Sequence, residues 1–148
     1  MWPFKSKYDK LTREDVNEAI CKLDSESKKI DADLLAMETQ ITETTKIAKK
    51  EKIKEIKLNY IKKISYLKRR RVALAKRNSY LLYNIELLEK LKQAIDDNQM
   101  FKMANGVSLN KLLKDQNGLR KFLLKSLNLK QESEQTLIST NETFEEIN

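Results

Sequence analysis

The stretch ITETTKIAKKEKI, residues 41–53, lies between two long runs of apolar residues at heptad spacing. A helix that passes through it gives one rod; a helix that breaks in it gives two helices that can fold back on each other. Ile41, Thr42, Thr44, Thr45 and Ile47 are β-branched and lower helix propensity. No Gly or Pro marks a turn. A break between about 45 and 53 makes an antiparallel hairpin, and without it residues 12–98 form a single unbroken rod.

Upstream, a stripe runs through Val16, Ile20, Leu23, Ser27, Ile30, Leu34, Met37, Ile41, Thr44 and Ala48. Its steps alternate four and three, the spacing of a coiled-coil seam, with Ser27 and Thr44 as weak members. Thr12 followed by Asp15 fits a capping box, and Leu11 with Val16 has the spacing of a hydrophobic staple. A helix over 12–48 would be roughly 55 Å long.

Downstream, Ile53, Ile56, Tyr60, Ile64, Leu67, Leu74, Leu81, Ile85, Leu88 and Ile95 form the second stripe, interrupted on the seam by Arg71 and Asn78. A helix over 52–98 would be roughly 70 Å long, and the excess over the first requires a further partner. Asn105-Gly106 reads as a helix stop and Ser108 as a new cap. A short helix follows with Leu109, Leu112 and Leu113 inward. Asn117-Gly118 interrupts it, and Leu119, Phe122, Leu123 and Leu127 continue the apolar face. The fold class is all-α: a long antiparallel helical hairpin followed by shorter helices, elongated and polymer-forming. We divide it into an N-terminal segment 1–11, a helical core 12–130 and an acidic tail 131–148.

Composition agrees with this reading. Of 148 residues, 35% are charged, with two Gly and one Pro, which disfavours an all-β fold and a Gly-rich phosphate loop. The lone Cys21 forms no internal disulfide and suits a reducing cytosol. No stretch has the roughly 18 apolar residues of a membrane span, and no signal-peptide pattern is present. With no histidine and one cysteine, general-base catalysis and zinc binding lose their commonest residues, so we expect no enzyme, no metal and no cofactor.

The charge is unevenly placed. Residues 44–77 hold fourteen Lys/Arg and two Glu, whereas 131–148 hold five Glu and no cation. Between 56 and 77 no residue is acidic. At about 100° per residue, Lys62, Arg69 and Lys76 align opposite Tyr60, and Lys63, Arg70 and Arg77 form a neighbouring row. A solvated face normally mixes signs. A ribbon of one sign suits a polyanion, either a nucleic acid backbone or an anionic leaflet. The opening MWPFKSKYDK favours the leaflet, because Trp2 and Phe4 beside Lys5, Lys7 and Lys10 combine an apolar wedge with charge attraction. The alternative is a basic coiled-coil module that binds nucleic acid or an acidic protein, for which Trp2 would be idle.

Four stretches resemble the ESCRT-III, or charged multivesicular body protein, family. LTREDVNEAICKL (11–23) is similar to its first-helix opening and LKRRR (67–71) to the basic motif of its second helix. NIELLEKL (84–91) and GVSLNKLLKD (106–115) are similar to later segments. The resemblance covers roughly residues 1–125 and is nearest the filament-nucleating branch. That branch carries a myristoylated glycine at position 2, where this chain has Trp2; insertion of Trp2 and Phe4 would replace the lipid. The resemblance implies a hairpin core that opens from an autoinhibited monomer and polymerises on endosomal or other cytosol-facing membranes, remodelling or severing them. Lys5, Lys7, Lys10, Lys62, Lys63, Arg69, Arg70, Lys76 and Arg77 would meet anionic lipid. Ile20, Leu23, Ile30, Leu34, Ile64, Leu67, Leu81, Ile85 and Leu88 would hold the hairpin or the assembly. Implied partners are copies of the chain, other subunits of the family and an upstream sorting-complex subunit. The family also recruits an AAA ATPase through a C-terminal helix, and residues 131–148 carry no stretch that matches it.

Overall fold

The computed structural model describes residues 10–103 and 108–130. Among the described residues there are four helices: α1 (Arg13–Lys50), α2 (Lys54–Asp96), α3 (Leu109–Leu112) and α4 (Gln116–Ser126). Among the described residues there is no strand, only an isolated antiparallel bridge between Lys10 and Lys102. Beside it, the Leu11 amide donates to the Phe101 carbonyl at 2.9 Å.

The chain breaks at 51–53, so the unbroken rod is excluded. The β-branched run is helical nonetheless, and within it the Thr42 and Thr45 hydroxyls donate to the Glu38 and Ile41 carbonyls four residues back. The turn itself is made by Glu51. Its carboxylate accepts from the amides of Lys52 and Ile53, both at 3.1 Å, donors that a helix start otherwise leaves unpaired. None of residues 51–53 takes a left-handed φ, so the turn needs no glycine. Lys49 and Lys50 in the last turn of α1 suit the negative end of its dipole.

The start of α1 is the expected capping box: the Asp15 amide donates to Thr12 Oγ1 and the Thr12 amide to Asp15 Oδ2, each at 3.2 Å. Leu11 and Val16, the expected staple, are both buried. The end of α2 falls two residues short of the expected 98. The expected stop at Asn105-Gly106 lies outside the described residues, and the helix has already ended at Asp96. Asn98 takes a left-handed φ of 68°, its amide donates to the Ile95 carbonyl, and the Gln99 amide donates to Ala94. This is a Schellman closure with Asn in the place of the usual Gly. Asn128 (φ 55°) closes α4 in the same way. Gly118 does not interrupt a helix as expected; it sits in the first turn of α4, and the break falls at Leu113–Asp115.

Two compact units are formed. One comprises residues 27–78. Within it α1 and α2 run antiparallel, as the Asp31–Asn78 and Glu38–Arg71 pairs require. Each helix buries a narrow stripe: Ser27, Ile30, Met37, Ile41, Thr44 and Ala48 on α1, Leu67 and Ala75 on α2. The α1 seam is as the spacing predicts, down to its weak members. On α2 the seam fails at its start: Ile53 and Ile56 are exposed, because the chain has only just left the turn there. Ile64 and Leu34 are half-buried.

The other unit comprises the residues up to 26 and those from 79 on. Here Val16, Ala19 and Leu23 of α1 are buried with Leu81, Leu87, Leu88 and Leu91 of α2 and Leu119, Leu123 and Leu124 of α4, while Ile20 and Ile85 are half-buried. Leu81, Asn84, Leu87, Leu88 and Leu91 cover a wider arc of α2 than a two-helix seam uses, which is what a third helix demands.

Two stability outcomes follow. Leu88→Ala should lower the unfolding free energy by about 2–5 kcal/mol in urea titration, whereas Ile53→Ala should stay within about 0.5 kcal/mol. Asn98→Gly should raise stability, and Asn98→Ala should lower it, by about 1 kcal/mol each, because only glycine enters the left-handed region freely.

Candidate functional site

The middle of α2 carries the candidate site. Two cations of the basic stretch are half-buried. Arg71, a seam position, pairs with Glu38 of α1. Lys76 is half-buried, so it belongs to the exposed row less fully than its spacing predicts. Asn78, the other polar interruption, accepts from Ser27 Oγ at 2.6 Å through Oδ1 and donates to Asp31 Oδ1 at 3.0 Å. The weak member of the first stripe and the interruption of the second therefore lie opposite each other.

Lys62, Lys63, Arg69, Arg70 and Arg77 are exposed. Trp2, Phe4, Lys5 and Lys7 lie outside the described residues; Lys10 is exposed and held by its backbone bridge. Of the two rows on α2, every member but Lys76 is exposed.

A second feature was not among the expected site residues. Leu58, Ile61, Tyr66 and Val72 are also exposed, Val72 to 64%. Ile61, Ile64, Ser65, Lys68, Arg69 and Val72 line an open groove of about 560 Å³. Leu58, Ile61, Ser65, Lys68 and Val72 follow one another at steps of three and four, the spacing of one helix face. That alternation was available in the sequence, but its polar members Ser65 and Lys68 hide it beside the stronger seam.

In the other unit, a groove of about 430 Å³ is lined by Lys22, Leu23, Glu26, Asn110, Lys111, Leu113 and Lys114. Lys22 is committed there to Glu18 and Asn110. Asn84 is fully buried and ties α2 to the start of α4, donating through Nδ2 to the Gln116 carbonyl at 3.0 Å and to Gln116 Oε1 at 2.9 Å. Arg120 lies over the Tyr80 ring, 5.1 Å from its centroid. These contacts fasten helices and present no reacting group.

Among the described residues no group of three or more Asp, Glu or Cys side chains is placed to hold a metal ion, and no helix is long and apolar enough to cross a membrane. Comparison with protein-family models, with curated proteins and with solved structures finds no match.

A double-mutant cycle on Ser27→Ala and Asn78→Ala should give a coupling of about 0.5–1.5 kcal/mol in urea unfolding, the worth of one part-buried hydrogen bond.

Proposed function

We propose that this chain binds anionic membranes peripherally through the basic face of α2 and polymerises there, as an ESCRT-III-like subunit that remodels or severs cytosol-facing membranes such as those of endosomes. The observation that carries the reading is an exposed helix face, free of acidic residues from 56 to 77, on which Lys62, Lys63, Arg69 and Arg70 reach solvent together. Near an anionic leaflet each such cation contributes about 1 kcal/mol, and the attraction decays within a Debye length. A helix held along one edge by a partner can lie flat on a charged sheet, so the contributions of successive turns add.

The N-terminal MWPFKSKYDK supports the same reading from sequence: Trp2 and Phe4 have the character of residues that seat at a headgroup boundary, and the neighbouring lysines supply a second signal for docking. The sequence resemblance supports self-assembly with family members. Its implied partners, an upstream sorting-complex subunit and an AAA ATPase, belong to that resemblance, and the ATPase lacks a matching recruiting stretch in 131–148.

Sedimentation with vesicles tests the proposal. Phosphatidylserine-containing vesicles should carry the protein down at low salt and phosphatidylcholine vesicles should not. Lys62→Glu with Arg69→Glu should weaken binding about tenfold or more, and Trp2→Ser with Phe4→Ser should lower it sharply. Equal binding to both vesicle types, or tighter binding to duplex DNA than to anionic vesicles at equal ionic strength, would overturn the reading in favour of a basic coiled-coil module.

A further inference from the structure

Charge alone does not account for the outer face of α2. Leu58, Ile61 and Val72 are about half exposed or more, and they share a face with Ser65 and Lys68. At about 100° per residue, Lys62 and Arg69 border this face on one side and Lys57 on the other, where Lys68 is the face's own edge. The result is a narrow apolar stripe between two lines of long cationic side chains. Such side chains keep an apolar stem beside the stripe while the charged head reaches outward.

Burial of this stripe needs an occupant that is apolar in its middle and negative at its edges. A second copy offering the same stripe would set like charges against each other. Among the described residues, the large apolar side chains that α1 exposes are Leu35 and Ile47, which stand about 120° apart around the helix and form no matching stripe. Acyl chains beneath anionic headgroups meet both requirements.

We propose that α2 itself enters the membrane interface, with Leu58, Ile61 and Val72 seated below the headgroups and Lys57, Lys62, Lys68 and Arg69 at phosphate level. This rests on the membrane reading above and adds to it a contact that salt does not screen. It gives the chain two apolar anchors, one at Trp2 and Phe4 and one along the hairpin.

The test is vesicle sedimentation across a salt series, in the natural chain and in the Trp2→Ser, Phe4→Ser chain, so that the N-terminal anchor is accounted for. On phosphatidylserine-containing vesicles, a fraction of binding should survive high salt in both. Ile61→Ser with Val72→Ser should reduce that fraction about fivefold or more and leave low-salt binding largely intact; Val72→Phe should increase it. Leu35→Ser, an exposed apolar change on α1, should alter neither. Salt-resistant binding that is unchanged by the stripe variants would overturn the insertion while the electrostatic membrane reading stands. No binding of the natural chain to anionic vesicles at any salt would remove both. Loss of vesicle-free self-association in the Ile61→Ser, Val72→Ser chain, with salt-resistant binding retained, would assign the stripe to a protein contact and overturn the proposal.

Discussion

The outward presentation of the basic face depends on the polar pairs inside the hairpin seam. An apolar stripe alone tolerates slippage by a heptad, because each step presents a similar surface. Asn78 against Ser27 limits that freedom in residues 27–78, because a slip leaves this part-buried pair unpartnered, and the exposed Asn78–Asp31 and Arg71–Glu38 pairs favour the same register. With the register set, the seven-residue spacing of the remaining cations keeps them on the solvent side. The same residues that weaken the stripe as a hydrophobic pattern give the pairing its specificity.

The two units divide the labour of folding. Residues 27–78 bury one stripe per helix, with small or polar members among them, so this unit has a thin core. The unit containing α4 buries nine large side chains to under 2% exposure: seven leucines, Val16 and Asn84. Apolar burial contributes stability in proportion to area removed from water. The α4-containing unit is therefore the anchor, and the hairpin segment that carries the site is the part with least to hold it. Binding surfaces are commonly drawn from such low-stability regions.

Much of this was legible in the sequence. The α1 seam was, because its period is strict over nine steps, and the Thr12–Asp15 cap was, because its chemistry is local. The position of the break was bracketed, but its mechanism was not: Glu51 closes the turn with a side-chain carboxylate, and no composition rule distinguishes that glutamate from any other. Ile53 and Ile56 fit the second stripe yet lie exposed, since periodicity describes a face and not where its partner ends. The end of the second helix near 98 was legible, but its closure was not, because at Asn98 asparagine substitutes for the glycine that usually marks it. At the site, the cation rows were legible from spacing, while Arg71 and Lys76 showed their partial burial only in three dimensions. The stripe at Leu58, Ile61 and Val72 was obscured by the stronger seam a third of a turn away.

The claim that one flank of α2 faces lipid is most directly examined by a single-label scan. Cysteines placed in turn at positions 57–77 of a Cys21→Ala chain carry a spin label, and its relaxation by oxygen and by a water-soluble nickel complex is recorded on anionic vesicles. A profile with a period near 3.6 residues is expected, with oxygen access highest at 58, 61 and 72 and nickel access highest where α2 turns away from both lipid and α1. A flat profile, or one whose lipid-facing maxima fall on the seam positions 67, 71 and 74, would contradict it.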